Sequence, residues 1–151
     1  MELVQIEIER VIATTGNDFA VVLKAPDKRF LIFVGRPEIM ALYRELQGME
    51  SQRPMPHDVV ANLLRAFDIE VRGVVISSIV DNVFCATLLL RQDQPGGERQ
   101  EVRLDLRASD AMIVALKMKL PLHCAAEVLA EVRDVSADLP AEDEGQAELG
   151  D

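Results

Sequence analysis

Hydrophobic and polar residues follow a strand-like alternation in the first part of the chain. Residues 5–13, QIEIERVIA, begin with the every-second-residue pattern of a half-buried strand. Two further apolar runs, 19–24 (FAVVLK) and 30–34 (FLIFV), follow turn-forming residues and predict a second and a third strand. Pro37 then favours the start of a helix over 37–46, because the first helical turn does not use the N–H that proline lacks.

The same order of elements returns in the second half of the chain. Residues 69–71 repeat the pattern of residues 6–8, and apolar positions within 85–106 fall where a second and a third strand are expected. Asp110 then takes the place of Glu38 at the start of the next helix. The sequence therefore predicts internally duplicated β-β-β-α units, and an α+β fold with antiparallel-rich sheet and packed helices.

A further amphipathic segment separates the two units. Residues 56–67 predict a helix, because their apolar positions recur at helical spacing. Those positions are Val59, Val60, Leu63, Leu64 and Phe67. After the second unit, residues 120–124 predict a short extended piece and residues 126–132 a last helix. We expect the domain to span residues 1–133 and the remainder, 134–151, to form a separate tail.

The negative charge of the chain is concentrated at its end. The formal net charge is −10, yet seven of the 26 acidic residues lie in 134–151, which holds no basic residue. The other 19 acidic residues face 16 basic ones in residues 1–133, a net charge of −3. So acidic a segment, without aromatics, cannot bury enough apolar surface to offset its ordering entropy, and we predict that it is disordered. An acidic arm that competes with nucleic acid for a basic face is the alternative.

The absence of several sequence motifs argues against several classes of function. No apolar run reaches the roughly 20 residues that span a bilayer, and no signal peptide is recognisable, so we expect a cytoplasmic protein without a membrane segment. Cys85 and Cys124 match no metal or redox spacing. The phosphate loop, HExxH, CxxC and GxSxG motifs are absent. With no tryptophan and one tyrosine, stacking platforms for single-stranded nucleic acid are scarce.

Polar residues gather where the last strand of the second unit meets its helix. Ser109 suits the N-cap of that helix, and Asp110 suits the positive end of the helix dipole. Arg107 is disfavoured there unless it has a partner, and Asp105, two residues earlier on the same strand face, is one candidate. This group has the chemistry to bind a phosphate or a divalent metal. It also fits a purely structural start of the helix.

A second polar group precedes the helix between the units. Two prolines flank Met55 and fix the direction in which His57 and Asp58 leave the chain. A histidine beside a carboxylate is a plausible acid/base pair, because imidazole exchanges protons near neutral pH. The alternative is an ordinary helix start with a polar neighbour.

Together the two groups resemble the bifunctional nuclease domain family. Its members carry an R-P-x-x-H-D segment, matched here by residues 53–58, and later an R-P-S-D-A segment, matched by residues 107–111. Ala108 stands where the family usually has proline, which affects the stiffness of that turn. The resemblance covers residues 2–133. It implies an α+β fold of its own kind, degradation of both DNA and RNA, and frequent self-association.

The resemblance also implies a set of site residues. The catalytic candidates are His57 as general base, together with Asp58, Ser109 and Asp110. The cations that would neutralise phosphate charge are Arg53 and Arg107. A divalent metal such as Mg²⁺ or Mn²⁺ would be held by Asp110 and another carboxylate, either Asp105 or Asp58.

Two other functions stay open at this point. A non-catalytic module would use the same polar residues to bind a ligand or a partner in a groove between the units. A structural domain would form an oligomer through its exposed strand edges, and a homodimer is the favoured form. Nucleic acid is the partner expected if the family resemblance extends to activity.

Overall fold

Seven strands and four helices make up the part of the chain that the computed structural model describes, residues 1–141. The strands are β1 (Leu3–Ala13), β2 (Phe19–Lys24), β3 (Arg29–Val34), β4 (Glu70–Val80), β5 (Val83–Asp93), β6 (Arg99–Arg107) and β7 (Leu122–Ala125). The helices are α1 (Arg36–Leu46), α2 (Pro56–Ala66), α3 (Ala108–Met118) and α4 (Ala126–Glu131), and a 3-10 turn spans Ser136–Asp138. No helix in this range is long and apolar enough to cross a membrane.

All seven strands belong to one sheet, in the order β3-β2-β1-β7-β4-β5-β6. Neighbours run antiparallel except β7 and β4, which are parallel. This arrangement confirms the predicted α+β class. The order β-β-β-α occurs twice, as predicted, while a common origin of the two units stays a prediction. β7, predicted only as a short extended piece, is the central strand that joins the two meanders.

Helix α3 lies at the centre of the core because its sequence is apolar on nearly every side. Residues 111–115, AMIVA, are all buried. Helix α1 packs on α3 and buries Ile39 and Leu42, and α2 packs on α3 and buries Ala61 and Leu64. Polar residues from three separate parts of the chain therefore meet around α3.

Helix α2 forms where the spacing of its apolar residues predicts it, and most of these residues are exposed. The exposed members are Val59, Val60, Leu63 and Phe67. Ala61 and Leu64 face the core instead, on the side where His57 and Asp58 bind α3. These polar contacts fix the rotation of α2, so the larger apolar side chains point away from the core.

The residues directly after Arg133 pack against the sheet, in contrast to the predicted free tail. The N–H of Val135 donates to the carbonyl oxygen of Arg29 at 2.9 Å, and Asp134 accepts a hydrogen bond from the N–H of Arg29 at 3.1 Å. The buried Arg10 donates to the carbonyl oxygen of Pro140 at 2.7 Å. Contacts with the sheet thus extend past residue 133, as far as Pro140. The prediction of disorder for residues 142–151 concerns a segment outside the described residues.

Candidate active site

A cleft of about 780 Å³ opens between α1 and α2. Its walls come from these two helices and from the segment that connects them, and Leu116 and Lys117 of α3 also line it. His57 and Arg107 line it as well. Both sequence motifs therefore contribute to one concave surface.

Asp110 is the centre of a polar cluster beside this cleft. Nε2 of His57 lies 2.8 Å from Oδ1 of Asp110. Arg107 binds the same carboxylate with two groups, Nε to Oδ2 at 2.8 Å and Nη2 to Oδ1 at 3.0 Å. Its third nitrogen, Nη1, donates to Oε1 of Glu38 on α1 at 3.1 Å. We call these four residues, Glu38, His57, Arg107 and Asp110, the Asp110 cluster.

The start of α3 explains why Arg107 and Asp110 meet. Arg107 is the N-cap, with extended backbone angles (φ −67°, ψ 150°), and Asp110 is the third residue of the helix. Residues three apart at a helix start lie on one side, so the two side chains form a bidentate pair. The carboxylate also lies at the positive end of the helix dipole, which offsets the unfavourable position of the cation.

Charge keeps the Asp110 carboxylate ionised. The hydrogen bonds from Arg107 lower the pKa of Asp110 most, partial burial opposes them, and the hydrogen bond with His57 lowers it further. The same bonds to Asp110 and Glu38 raise the pKa of Arg107. An ionised carboxylate only accepts hydrogen bonds, so Nε2 of His57 must donate to it.

A second cluster lies two helical turns further along α3. Nζ of Lys117 donates to Oδ1 of Asp58 at 2.5 Å and also to Oε1 of Glu45. Asp58 accepts a further hydrogen bond from the N–H of Met55 at 2.7 Å, which caps the start of α2. We call Glu45, Asp58 and Lys117 the Lys117 cluster.

Lys117 is a charged side chain that is only 12% exposed. Burial alone would lower its pKa, but the hydrogen bonds to Asp58 and Glu45 outweigh burial and raise it. The bond from Lys117, followed by the one from Met55, lowers the pKa of Asp58. The cluster thus holds α1, α2 and α3 together through one ammonium group.

The structure brings together only part of the predicted set. His57, Arg107 and Asp110 converge, although they come from motifs about fifty residues apart. Asp58 does not join them, because it turns to Lys117 and leaves the predicted His57–Asp58 pair unformed. Adjacent residues at a helix start point in different directions, so His57 and Asp58 bind two different turns of α3.

The remaining predicted residues lie outside the Asp110 cluster. Ser109 is the second residue of α3 and is buried, so the predicted N-cap role belongs to Arg107 instead. Asp105 is exposed on β6, and Arg107 binds Glu38 and Asp110 rather than this predicted partner. Arg53 is exposed in an adjoining depression of about 440 Å³ that it shares with Arg44.

Sequence reasoning missed Glu45 and Lys117 as site residues and placed Glu38 only at the start of a helix. A signal for them exists, because Glu38 and Glu45 are seven residues apart on α1, and Asp110 and Lys117 are seven apart on α3. Seven residues make two helical turns, which places each pair on one face.

The donor set does not fit a divalent cation held by this chain. Both oxygens of Asp110 already bind Arg107 or His57, and Asp105 lies apart from the cluster. Within residues 1–141, no three histidine, cysteine, aspartate or glutamate side chains are grouped so that they could hold a metal ion. A cation at Asp110 would compete with Arg107 and His57 for these two oxygens, so the mechanism proposed for this chain uses side chains alone.

Comparison with known proteins identifies the family to which this chain belongs. The sequence model of the bifunctional nuclease domain matches residues 21–136, which include every residue of both clusters. This chain belongs to the bifunctional nuclease domain family. The sequence resemblance is therefore confirmed.

The relatives of this bifunctional nuclease domain come from bacteria and plants. An uncharacterized protein of Mycobacterium tuberculosis is 28% identical over 105 residues, 70% of this chain and 59% of that protein. Bifunctional nuclease 1 of Oryza sativa subsp. indica is 32% identical over 108 residues, 69% of this chain and 32% of the rice protein. Bifunctional nuclease 2 of Oryza sativa subsp. japonica is 27% identical over 93 residues. The chain thus spans 59% of the mycobacterial relative and about a third of the first rice protein.

Proposed function

We propose that this chain hydrolyses phosphodiester bonds of DNA and RNA in the cleft between α1 and α2. The observation that carries the proposal is the 2.8 Å contact between Nε2 of His57 and Oδ1 of Asp110 at this cleft. Membership of the bifunctional nuclease domain family supports the same activity.

His57 is the proposed general base. In the neutral form of the imidazole, donation from Nε2 to the ionised Asp110 leaves the free lone pair on the other ring nitrogen, Nδ1. Nδ1 can accept the proton of an attacking water, or of the 2′-hydroxyl in RNA, as the new bond to phosphorus forms. The bond from phosphorus to the leaving sugar oxygen breaks as this bond forms, and the leaving oxygen takes a proton from water or from the protonated His57. Asp110 orients the imidazole and stabilises the positive charge that the ring gains.

Arg107 is the proposed phosphate ligand beside the base. It uses three N–H groups for Asp110 and Glu38, and its side chain is still 64% exposed. Its remaining N–H groups are available to the non-bridging phosphate oxygens, whose negative charge increases in the transition state. Positioning and charge stabilisation are the main contributions a protein makes to phosphoryl chemistry.

Basic side chains around the cleft supply contacts for the rest of the substrate. Arg44, Arg65 and Lys119 line the cleft and form no ion pair within residues 1–141. Arg53 lies in the adjoining depression next to Arg44. These four cations form a path for a phosphate backbone, which dominates affinity for nucleic acid.

Replacement of His57 tests the proposal directly. His57→Gln removes the base and is expected to reduce cleavage of labelled single-stranded DNA and RNA by about 100-fold or more. The matched control is His123→Gln, because His123 lies on β7, belongs to neither cluster and lies outside the cleft lining. Cleavage by a folded His57→Gln protein at the control's rate would exclude His57 as the base.

The same cleavage assay tests whether hydrolysis requires a divalent metal ion. Since no step uses a metal, cleavage is expected to persist in EDTA within a few-fold of its rate with Mg²⁺ or Mn²⁺. A strict requirement for either ion would mean that the substrate completes a metal site that this chain alone does not form.

A non-catalytic binding module is the second candidate function. The observation in its favour is that every carboxylate of the two clusters is already engaged in an ion pair. The clusters would then lock the helices, and the cationic path would bind an anionic partner. A pure preparation that binds oligonucleotides with salt-dependent affinity and never cleaves them would favour this function.

A further inference from the structure

The depression of about 440 Å³ beside the cleft lies along the segment that joins α1 to α2. Residues 49–52, together with Arg44 and Met55, line both the depression and the cleft, so the two form one continuous concave surface. The proposed hydrolysis takes place at the Arg107 end of this surface. The depression is therefore a candidate site for a neighbouring part of the same substrate.

Two methionines give the depression its apolar surface. The side chains of Met49 and Met55 are exposed, and the two residues have 55% and 44% of their surface accessible. A thioether is polarisable and makes favourable contacts with the faces and edges of aromatic rings. Among the described residues that line the depression, none is aromatic. Methionine is thus the side chain that could contact a ring of a ligand here.

The end of α1 fixes the position of Met49. Gly48 has a positive φ of 68°, and its N–H donates to the carbonyl oxygen of Glu45 at 3.2 Å. The N–H of Met49 donates to the carbonyl oxygen of Arg44 at 2.9 Å. This pair of hydrogen bonds is the Schellman arrangement that closes a helix. Met49 is therefore held against the last turn of α1.

The start of α2 fixes the position of Met55 in the same way. Met55 is the N-cap of α2, in extended conformation, and its N–H donates to Oδ2 of Asp58 at 2.7 Å. Pro54 and Pro56 restrict the backbone on both sides of it. Both methionines thus leave the chain from backbone that is already ordered, which lowers the entropic cost of binding a ligand between them.

The polar residues of the depression complement a nucleotide. Arg44 and Arg53 are exposed and form no ion pair within residues 1–141, so both are available to phosphate oxygens. Glu50 and Gln52 also line the depression. A glutamate can accept a hydrogen bond from the amino group of a base, and a glutamine can pair with the edge of adenine. Apolar surface, edge partners and cations therefore occur together.

The depression lies within reach of a strand bound at the proposed catalytic residues. Arg44 follows Glu38 by six residues on α1, which corresponds to about 9 Å along the helix axis. Glu38 binds Arg107, the proposed ligand of the reacting phosphate. A short oligonucleotide can span this distance, so a base near the reacting phosphate can enter the depression.

We propose that the depression is a nucleobase subsite, in which Met49 and Met55 contact an unpaired base of the substrate while Arg44 and Arg53 bind the adjoining phosphates. The proposal rests on the proposed function, because that function places a nucleic acid strand in the cleft. It adds that the chain recognises bases as well as the phosphate backbone. The thioethers replace the aromatic platforms on which bases usually stack.

A fluorescent reporter in the depression tests the proposal. The chain has no tryptophan, so Met49→Trp introduces a single indole at this position. A single-stranded oligonucleotide is expected to quench its fluorescence, because a base stacks on the indole. An abasic backbone of equal length carries the same phosphates and is expected to leave the fluorescence unchanged. The matched control is Phe33→Trp, at an exposed position of β3 outside both linings, which is expected to respond to neither probe.

Loss of the thioethers gives a second, independent measurement. Met49→Ser and Met55→Ser are each expected to raise the Kd for the base-bearing oligonucleotide by about threefold to tenfold, and to leave the Kd for the abasic backbone unchanged. Arg53→Gln is expected to weaken both probes alike, since it removes a phosphate contact. Fluorescence anisotropy measures these affinities, with phosphorothioate linkages that keep the charge of the probes and resist hydrolysis. Circular dichroism checks the fold of every variant, and both methionines are exposed.

The outcomes separate the subsite from the proposed hydrolysis. Equal quenching by the two probes, or methionine variants that bind the base-bearing oligonucleotide as tightly as the wild type, would overturn the subsite. A wild-type chain that binds neither probe would overturn it as well. Base-dependent quenching in a chain that does not cleave an unmodified strand would support the subsite and contradict the hydrolysis alone.

Discussion

The two β-β-β-α units start their helices with the same geometry and different chemistry. α1 follows Gly35 and α3 follows Arg107, both in extended conformation, and each helix has a carboxylate at its third position, Glu38 or Asp110. Both carboxylates bind the guanidinium of Arg107. Only Asp110 also binds a histidine. Equivalent positions thus hold a structural carboxylate in the first unit and a candidate catalytic one in the second.

The N-cap residue explains how one arginine serves both units. A Cβ on Gly35 would lie 2.6 Å from Oε2 of Glu38, so the Glu38 side chain uses the space above the glycine. Glu38 reaches across to the arginine that the second unit places at the matching position. The first unit has Gly35, not a cation, at this position. Its Glu38 carboxylate instead completes the Asp110 cluster of the second unit.

Near the C-terminal ends of α1 and α3, the residues at equivalent positions carry opposite charges. Glu45 and Lys117 also lie at matching positions of α1 and α3, and they bind each other directly. α2 supplies one partner to each end, His57 to Asp110 and Asp58 to Lys117. Helix α2, which lies between the two units in the sequence, therefore adds one side chain to each contact between α1 and α3. His57 is the addition that makes the Asp110 cluster a candidate site.

Replacement of Lys117, near the C-terminal end of α3, is expected to have the largest effect on stability. Lys117→Met leaves Glu45 and Asp58 partly buried without their partner, and we expect a loss of about 2 kcal/mol in the free energy of unfolding. Urea denaturation measures it. Lys119→Met, also at the cleft but without an ion pair in the described range, is the control, with an expected change below about 0.5 kcal/mol. Equal losses in the two variants would contradict the role of the Lys117 cluster.

Removal of the cation that the two units share is expected to have a smaller effect. Arg107→Met leaves Glu38 without its ion-pair partner and Asp110 with His57 alone, but Arg107 itself is largely exposed, so we expect a loss of about 1 kcal/mol. Arg133→Met, which breaks one exposed pair with Asp138, should change the free energy of unfolding by no more than a few tenths of a kcal/mol. If Arg107→Met proves as harmless as this control, the units are not joined through Arg107.

The pH dependence of stability tests the ionised state of the second unit's carboxylate, Asp110. Folding lowers the pKa of Asp110 and of Asp58, so their stabilising effect is complete above the unfolded value near pH 4 and is lost as pH falls through the folded values. The melting temperature of the wild type should therefore fall below about pH 4. Asp110→Asn should flatten this fall, because it removes one of the two carboxyl groups whose pKa folding lowers. An Asp110→Asn curve as steep as that of the wild type would contradict the lowered pKa of Asp110.

A methyl group at the first unit's N-cap is expected to have the smallest effect. Gly35→Ala requires the end of the flexible Glu38 side chain to shift, so we expect a stability change of a few tenths of a kcal/mol. The Glu38–Arg107 contact should weaken, while the His57–Asp110 contact should not change. Calorimetry measures the first effect, and unchanged cleavage tests the second.

The order of the elements could be predicted from the sequence because it depends on local patterns. The alternation in β1 and the apolar run of β2, residues 19–24, place strands where the structure has them. The central position of β7 could not be predicted, because its four residues owe their place to pairing with β1 and β4, far away in the chain. The rotation of α2 could not be predicted for a related reason, since it depends on contacts with α3 and not on the spacing of its apolar residues.

The site was predictable to a smaller extent. The two motifs supply His57, Arg107 and Asp110, but neither motif indicates that His57 binds Asp110 rather than Asp58. That choice depends on how α2 crosses α3, which is a property of the packed helices. Glu38 and Lys117 show the same limit, because a surface charge becomes part of a site only when tertiary packing brings it a partner.

Cleavage by Asp110→Asn and by Glu38→Gln is the most direct test of the central claim. Both substitutions remove one carboxylate charge from Arg107 at equivalent positions, but only Asp110 binds His57. With both proteins folded, initial rates on single-stranded DNA and RNA should fall about 100-fold or more for Asp110→Asn, and less than about tenfold for Glu38→Gln. Equal rates in the two variants would contradict a catalytic role for the Asp110–His57 pair.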